Sequence, residues 1–533
     1  MKGKILFWII AFLFLSLSNK AQYFEWISHH PSQYSFNPDM VNSPLAIFSS
    51  GAEVNARLDS FALHYGQDAY GKVLLEKRDA SGIITWTYGL SKKVFIKKIT
   101  TDINDNVYVC GGFMDTLDFN GMDQLMHSNI GSTVNRFLAK FDSNGLLLWK
   151  RNFDLTHADA NIEDLQVDLS GNLWYAMNDF NNSALYKVDS NGDDIDSLLQ
   201  DGALMLTSFS FDPFGNIFIS GATSAGTMTF GNHSYTVIPG YAKFIGRYDV
   251  NRNSSWAHYA NDITFINHKV VSDQFGNAFM AGVIYDSTNF GTIIFPRPQW
   301  SQDAFLLKID SSGVIQWGKS NPSGTTAITG RLTPTADDCI DVDLAGNVYL
   351  SGRSAGVLDW GNGVVLTAGL GQFQENRLSI ISFDPNGNAR WGKIFGSESY
   401  NNLHSLKVAD NGDCYFNAGF RDNSVFDSTV YIGNSLMNFV TGKISASALT
   451  GISNPQENPD FIYPNPSNGL IHFQGKRYQS EINIFDISGK LVVNQFHPTE
   501  IPFDATNLPD GFYFLQLSDG VKQEIYRWIK ASK

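Results

Sequence analysis

The sequence predicts an all-β protein, a seven-bladed β-propeller followed by a small C-terminal β-sandwich. Three observations support this prediction. Charged residues are sparse at 17%, whereas aromatic residues reach 14% and there are 47 glycines, a composition typical of strands joined by tight turns. A turn-and-strand phrase recurs along most of the chain. Near residue 461 a Pro-rich stretch separates these repeats from a last group of strands that lacks the phrase.

The N-terminus predicts export. A lysine-bearing start precedes the apolar run Ile5–Leu17, which has the length of a signal-peptide core and is short for a membrane span. We therefore assign residues 1–21 to a signal peptide, cleaved after Ala21 or alternatively after Ser18, with an uncleaved anchor as the competing interpretation. The formal net charge of −14 and the absence of a basic stripe argue against nucleic acid as a partner.

The first recurrent phrase reads Asp, two variable residues, a Gly-Asn-like pair and an alternating apolar strand. A tight turn followed by period-two alternation predicts a β-hairpin. The phrase begins at Asp102, Asp168, Asp212, Asp273 and Asp343, with a variant from Ala409.

A second recurrent phrase follows the first and reads strand, Asp-containing turn, strand, usually with a final tryptophan. A degenerate copy from Ala184 lacks the tryptophan. The two hairpins together make a four-stranded unit, and several such units predict a propeller, in which blades shield each other's edges. A solenoid is the rival, but its repeats are usually shorter and more even. The tryptophans are Trp86, Trp149, Trp256, Trp317 and Trp391.

The ends of the ring are less regular. Blade one lacks a clear first hairpin, so strands between about residues 43 and 67 supply it, or the ring closes with strands from both ends. We assign residues 22–44 to an N-terminal lead-in segment, 45–445 to the propeller and the small, polar, Pro-bearing stretch 446–460 to a linker. The repeats resemble the seven-bladed propeller repeat family of secreted bacterial proteins, which implies a fold and no particular reaction.

No set of residues reaches the standard of a catalytic or metal site, and we expect no cofactor. The G-x-S-x-G match at Gly352–Gly356 fills a slot that other repeats occupy with other residues. The acidic stretch Asp189–Asp196 is interpreted as a polar hairpin turn, with adventitious calcium as the alternative. His29 and His30 are interpreted as a solvated arm near the mature start. Three scattered cysteines predict buried thiols, at least one of them unpaired.

Alternating strand directions place the two tight turns of each blade on one face and the longer connections on the other. Those connections begin after a recurrent apolar-aromatic turn and then diverge, as binding loops on a rigid scaffold do. Within one of them Arg297 and Trp300 combine a cation and a flat ring, a pairing suited to glycans or partner proteins, although simple packing within the loop is an equal alternative. The recurrent turn lies at Phe119, Phe230, Phe290, Trp360 and Phe426.

The last 73 residues carry three ordered motifs: "YPNPSNG", "INIFDISGKLV" and "LPDGFYFLQL". Residues 461–533 closely resemble the type A C-terminal sorting domain of the bacterial type IX secretion system. The resemblance implies Sec export in a Gram-negative bacterium, recognition by the outer-membrane translocon and commonly removal by a sortase-like peptidase. The cargo is then released or attached to anionic lipopolysaccharide, so the location implied is secreted or outer cell surface. The matching residues are Tyr463, Pro464, Asn465, Pro466, Asn468, Gly469, Gly489 and Gly511.

The sequence thus predicts an exported propeller that acts as a binding or adhesion module on a glycan or protein ligand. The alternative is an extracellular polysaccharide-active enzyme, a hydrolase or lyase, with acids drawn from different blades. Two or three carboxylates or a histidine gathered near the ring axis would favour the enzyme.

Overall fold

The computed structural model of the chain describes residues 22–31, 41–66, 68–121, 123–126, 134–153, 160–178, 183–262, 268–298, 302–321, 330–335, 338–368, 377–397, 399–427, 429–433, 436–446, 461–465, 467–474, 479–486, 490–498, 501–518 and 522–531. The described residues form strands and turns. None of them belongs to a helix that is long and apolar enough to cross a membrane.

The strands up to residue 444 belong to one ring. In the first half of the chain they are β1 (Phe24–Pro31), β2 (Leu45–Ile47), β3 (Glu53–Tyr65), β4 (Asp68–Arg78), β5 (Ile84–Thr101), β6 (Val107–Phe113), β7 (Thr116–Phe119), β8 (Asp123–Met126), β9 (Asn135–Phe141), β10 (Leu147–Phe153), β11 (Asn161–Val167), β12 (Leu173–Asn178), β13 (Ser183–Val188), β14 (Asp194–Gln200), β15 (Met205–Phe211), β16 (Ile217–Phe230), β17 (His233–Tyr248) and β18 (Ser254–Asp262). The remainder are β19 (His268–Ser272), β20 (Ala278–Ile284), β21 (Thr288–Phe290), β22 (Ile293–Phe295), β23 (Asp303–Ile309), β24 (Ile315–Ser320), β25 (Arg331–Thr333), β26 (Ile340–Val342), β27 (Val348–Ala355), β28 (Val357–Asp359), β29 (Val365–Thr367), β30 (Arg377–Phe383), β31 (Ala389–Ser397), β32 (Asn401–Val408), β33 (Cys414–Phe420), β34 (Ser424–Phe426), β35 (Thr429–Tyr431) and β36 (Asn438–Ile444).

Antiparallel pairing groups these strands into four-stranded blades, written from the innermost strand outward. We number them blade 1 (β2, β3, β4 and the first part of β5), blade 2 (the second part of β5, β6, β9, β10), blade 3 (β11 to β14), blade 4 (β15 to β18), blade 5 (β19, β20, β23, β24), blade 6 (β25 with β26, β27, β30, β31) and blade 7 (β32, β33, β36, β1). The innermost strands neighbour one another around the ring, and β2 of blade 1 lies beside β32 of blade 7. The predicted propeller is confirmed.

The ring closes with strands from both ends of the chain. Strand β1 pairs with β36 in antiparallel register from Phe24 opposite Ile444 to Pro31 opposite Asn438. It thereby supplies the outermost strand of blade 7, while β2 and β3 supply the missing first hairpin of blade 1. Residues 24–31, within the segment 22–44, therefore belong to blade 7. The interpretation of His29 and His30 as a solvated arm is wrong, because both lie in β1 and both are largely covered.

The recurrent aromatic turn lies on the connections that follow the second strand of a blade. In blades 2, 4, 5, 6 and 7 they fold back as small hairpins with the recurrent aromatic residue at the tip. Phe119 of blade 2 pairs with Leu90 on the outer strand of blade 1, and Val425 of blade 7 pairs with Gly396 of blade 6. These hairpins therefore connect neighbouring blades, and the tip residues Phe119, Phe230, Phe290 and Phe426 are buried.

The C-terminal domain is a sandwich of two sheets. Its strands are β37 (Phe461–Tyr463), β38 (Leu470–Gln474), β39 (Gln479–Asp486), β40 (Leu491–Pro498), β41 (Phe503–Asp504), β42 (Gly511–Ser518) and β43 (Lys522–Lys530). One sheet has the order β37-β38-β41 and the other β40-β39-β42-β43. Ile471, Ile482, Leu515 and Trp528 fill the space between them. Strand β43 also pairs with β35 of blade 7, with Val430 opposite Gln523 and Tyr431 opposite Lys522.

Candidate functional site

The aspartate of the first phrase closes a turn. In each blade the N–H of the first turn residue donates to the carbonyl of the fifth, and the N–H of the fourth donates to the carbonyl of the first. In the turn 343–347 the Asp343 carboxylate also accepts the backbone N–H of Asn347 at 2.8 Å, its side-chain amide at 2.7 Å and the Tyr349 hydroxyl at 2.9 Å. Such a carboxylate satisfies the turn's own donors. We call the end of the ring that carries these turns the turn face; they span residues 48–52, 102–106, 168–172, 212–216, 273–277, 343–347 and 409–413.

The second phrase forms a clasp between blades. The indole N–H of a tryptophan on one outer strand donates to a carbonyl in the next blade's turn, as Trp149 does to Ser190 at 2.9 Å. The ring lies flat on the glycine of that turn, so that a Cβ at Gly192 would stand 3.0 Å from the Trp149 ring. The same contacts join Trp26 to Ala80, Trp86 to Ser143, Trp256 to Ser311 and Trp317 to Pro385.

One clasp is built differently where the sequence copy is degenerate. Blade 3 has Asp196 instead of a tryptophan, and the turn of blade 4 has Arg252 instead of glycine, at a φ of 66°. The Arg252 guanidinium forms a two-pronged ion pair with the Asp196 carboxylate, one prong at 2.8 Å. Both partners of the usual clasp thus differ at this position, and an ion pair joins the two blades instead. This pairing indicates that the second phrase serves to hold neighbouring blades together.

Charged side chains from different blades meet at the ring axis, in a group that we call the axial charge cluster: Lys98, Asp164, Lys269 and Asp338. Asp338 contacts Lys98 at 2.9 Å and Lys269 at 3.1 Å, and Lys269 also contacts Asp164 at 3.0 Å. All four side chains are buried, and the partly covered Lys407 approaches Asp338 to 3.8 Å.

β-Bulges immediately precede two members of this cluster, Lys98 and Asp164. The inner strands of blades 2, 3, 4 and 7 each shift register immediately before Lys98, Asp164, Ser208 and Ser405, respectively, the fourth residue before the turn in every case. An extra residue at a bulge re-aims the following side chain. Ser208 donates its hydroxyl to Asp164 at 2.9 Å, which adds blade 4 to the network.

The electrostatics of the cluster favour the ionised forms. Burial raises the pKa of Asp338, but the ammonium groups of Lys407, Lys98 and Lys269 outweigh it and hold that pKa well below its ordinary value. Burial lowers the pKa of Lys269, yet the carboxylates of Asp164 and Asp338 raise it overall. Two carboxylates therefore lie together near the axis, as the enzyme alternative requires. Lysine ammonium groups contact both of them, however.

Described residues line an axial cavity and a second cavity beside it, both on the turn face. The axial mouth, of about 490 Å³, is lined by residues from the turns of the blades, including Ile103, Leu169, Pro213, Leu344 and Asp410. The seam cavity, of about 500 Å³, lies between the turns of blades 7 and 1 and is lined by Tyr415, Asp413 and Lys443 among others. Ser49 and Asp410 line both cavities, which therefore adjoin.

A second charged group lies where β1 closes the ring. Arg78, fully buried, contacts Glu53 at 3.0 Å and Glu76 at 2.7 Å, and His30 of β1 lies 2.9 Å from the Arg78 guanidinium. Burial and the positive charge of Arg57 and Arg78 lower the pKa of His30 to about 4 despite the nearby Glu76 carboxylate. Burial raises the pKa of Glu53 to about 7 against the opposing charge of Arg78.

The predicted ligand residues are separated from these cavities. Arg297 is exposed and lies 3.7 Å from Asp286, on the connection that enters β23 at the end of the blade opposite to the turn face. Trp300 lies outside the described residues. The G-x-S-x-G match lies within and just after β27, and Ser354 is buried there. Cys110, Cys339 and Cys414 are buried, as the sequence predicts. No group of His, Cys, Asp or Glu side chains in the described part of the chain is arranged to hold a metal ion.

The sorting motif ties the two ends of the C-terminal domain together. The Asn465 side chain accepts the Ile529 N–H at 2.9 Å, and the Ser467 hydroxyl accepts the Trp528 indole N–H at 2.9 Å. Gly469 has a φ of 114°, and a Cβ there would stand 2.5 Å from Thr506. Tyr463 lies in β37 and Gly511 begins β42, whereas Pro464 and Asn468 are exposed. Pro466 and Gly489 lie outside the described residues.

Comparison with known proteins identifies this domain. Residues 461–531 match the family described as the secretion system C-terminal sorting domain. The resemblance to the type IX sorting domain is thereby confirmed, and the domain indicates export to the cell surface or the extracellular space. No curated protein matches the sequence.

Several solved structures are similar to the chain at low identity. Virginiamycin B lyase of Staphylococcus aureus shares 9% identity with a TM-score of 0.37, covering 78% of this chain and 99% of that one. PorZ, a surface component of the type IX secretion system of Porphyromonas gingivalis, shares 10% with a TM-score of 0.22, covering 91% and 81%. The Pan2 WD40 domain of Neurospora crassa shares 10% with a TM-score of 0.30, covering 67% and 90%.

Proposed function

We propose that the propeller is a binding or adhesion module that is secreted or displayed on the cell surface. The observation that carries this proposal is the closure of the axial acids. Asp164 and Asp338 are buried, and each is held by at least one lysine within 3.1 Å. A catalytic acid or base must reach its substrate. These carboxylates instead bind blade to blade, which leaves them a structural role.

The carboxylates on the turn face support the same proposal. A glycosidase needs an acid with a raised pKa facing a second carboxylate. Burial raises the pKa of Asp413, but the N–H of Ala446 and the ammonium of Lys443 outweigh it and hold that pKa below its ordinary value. Asp413 is thus a poor proton donor at neutral pH.

One observation favours the alternative, a hydrolase or lyase acting on polysaccharide. Burial raises the pKa of Asp303 to about 6, although its hydrogen bond with Asn321 and the charge of Arg331 oppose the shift. Asp303 begins β23, at the end of the blade opposite to the turn face. A carboxyl with this pKa suits a general acid, so Asp303→Asn is the variant that tests this alternative.

For a glycan ligand, the proposed contact is Arg297 together with Trp300. The Arg297 side chain is 77% exposed and its contact with Asp286 is long, so the guanidinium is accessible. The test is a glycan array probed with the secreted protein. We expect Arg297→Ala to lose the signal and Lys72→Ala, another exposed cation paired with an aspartate, to keep it. A signal that Arg297→Ala leaves unchanged would contradict this contact.

For delivery, we propose the translocon and a sortase-like peptidase of the type IX system as partners of residues 461–533, with attachment to anionic lipopolysaccharide as one outcome. The support is the matched sorting domain. Mass spectrometry of the mature protein tests this proposal. A C-terminus near the linker, free or carrying a glycolipid, is expected. A mature chain that still ends at Lys533 would contradict removal of the domain.

A further inference from the structure

The turn face carries an unusual set of exposed side chains. In blades 2 to 6 one of the two residues that follow the turn aspartate is a large apolar residue, and these five side chains are between 50% and 79% exposed. A turn on the surface of a secreted protein has no structural need for apolar side chains at its tip. Contiguous apolar surface on a soluble protein commonly marks a contact site. We call these residues, Ile103, Leu169, Phe214, Phe275 and Leu344, the apolar arc.

Three residues of the apolar arc line a cavity. Ile103, Leu169 and Leu344 contribute to the wall of the axial mouth, of about 490 Å³. The other two, Phe214 and Phe275, lean over the glycines of the following turns, where a Cβ at Gly276 or Gly346 would come within 3.5 Å of their rings. These two aromatic side chains are therefore held against the neighbouring turns.

Blades 7 and 1 complete the rim with polar residues. Their turns depart from the common phrase and place Asp410 and Ser49 at the positions where the other blades place apolar side chains. The Asp410 carboxylate is exposed and has no side-chain partner among the described residues. No lysine or arginine is among the described residues that line the axial mouth, and turn aspartates stand around it. The tip residues of the turns are thus apolar in blades 2 to 6 and polar in blades 7 and 1, where Asp410 adds an exposed carboxylate.

The surface extends beyond the mouth. The outer turns of the blades lie on the same end of the ring, and they also expose apolar residues, namely Ile83, Leu146, Val250 and Val314. Two concentric sets of exposed apolar side chains exceed what a small ligand in the mouth would cover. They suit a protein surface that covers the ring end and inserts one side chain at its centre.

Building on the proposed binding function, we propose that the turn face is a docking surface for a partner protein segment that carries apolar side chains flanked by lysine or arginine. The apolar side chain enters the axial mouth against the apolar arc. The basic residue pairs with Asp410, in keeping with the net charge of −14 on the whole chain.

The test uses the purified secreted protein and labelled synthetic peptides measured by fluorescence anisotropy. The probes are a leucine-lysine peptide, a leucine-glutamate peptide and a serine-lysine peptide. We expect the leucine-lysine peptide to bind at least about tenfold more tightly than the other two. Leu169→Asp combined with Leu344→Asp should weaken that binding about tenfold or more. Asp410→Asn should weaken it less and remove part of its salt dependence.

The matched control is Ile294→Asp, a similarly exposed apolar residue on the β21–β22 hairpin, away from the turn face. It should leave peptide binding unchanged, and all variants should keep the wild-type circular dichroism spectrum. Equal binding of the three peptides, or equal loss with the control, would overturn the proposal. The proposal would also be overturned if the protein sediments as a dimer that only the combined Leu169→Asp and Leu344→Asp variant dissociates. The turn face would then be covered by a second copy of the same chain.

The two proposals fail differently. Suppose that none of the peptides binds, but the combined Leu169→Asp and Leu344→Asp variant still gives a signal on the glycan array. The proposed peptide partner would then be wrong, and the proposed binding function would stand. Turnover of a polysaccharide would overturn the binding function, and the peptide result would be read independently of it.

Discussion

Replacing Asp338 by Asn should destabilise the propeller strongly, because it removes the carboxylate that three lysines share. At an effective dielectric constant of 20, one ion pair at 4 Å is worth about 4 kcal/mol, and Asp338 has contacts at 2.9, 3.1 and 3.8 Å. Desolvation offsets much of that sum. Removing one partner of a buried pair costs about 3–5 kcal/mol, since the other charge is left uncompensated. Asparagine has nearly the same shape, so no cavity adds to this cost.

The assay is urea unfolding of the secreted protein followed by tryptophan fluorescence, which reports on the clasps between blades. The matched control is Asp115→Asn, which removes an exposed carboxylate 2.7 Å from Lys93 and should change the free energy of unfolding by less than about 1 kcal/mol. We expect Asp338→Asn to lose about 3–5 kcal/mol. A loss below about 1 kcal/mol would refute the reasoning, because it would mean that water reaches the axial charges.

Three further predictions follow from the clasp, the ring closure and the sorting domain. Gly313→Ala should cost about 1–3 kcal/mol of unfolding free energy, because its Cβ would stand 2.6 Å from the Trp256 ring. The control is Gly171→Ala, which also has a positive φ but has open space around the new Cβ, and it should cost less. Equal losses in the two variants would refute the role of the clasp. The pKa of His30 is lowered to about 4 in the folded protein, so its contribution to stability is complete above pH 6.5, and roughly 2–3 kcal/mol of unfolding free energy should be lost as the pH falls towards 4. Thermal unfolding at several pH values should show that His30→Gln flattens this pH dependence. A pH dependence that the variant leaves unchanged would contradict the prediction. Deleting residues 461–533 should leave the propeller in the periplasm on cell fractionation, and normal secretion would contradict the sorting assignment.

The repeated turns and hairpins could be predicted from sequence because their signals are local. The aspartate, glycine and asparagine of the common turn lie within five residues, and the alternating strand follows directly. The family of the C-terminal domain could be recognised for a similar reason, since its first motif is a compact run around residue 465. The exchange of tryptophan and glycine for Asp196 and Arg252 was visible as two departures from the phrase, but only the ring brings them together.

The remaining features depend on contacts between distant parts of the chain. Strand β1 pairs with β36 across more than 400 residues. The local sequence around Trp26 therefore could not show that its indole forms the clasp between blades 7 and 1. The axial charge cluster takes its members from four blades, and each bulge that aims one of them is invisible in the alternation pattern. The apolar arc had a signal in the sequence: an apolar residue inside an otherwise polar turn, as at Leu169 and Leu344.

The proposed role of the propeller is to bind a ligand without catalysing a reaction. The most direct measurement incubates the secreted protein with a panel of polysaccharides and quantifies new chain ends and unsaturated products over time. We expect no increase above the level given by Asp303→Asn, while the folded protein still binds a glycan or the leucine-lysine peptide. New chain ends that disappear in Asp303→Asn, at an unchanged unfolding free energy, would contradict it and establish the enzyme.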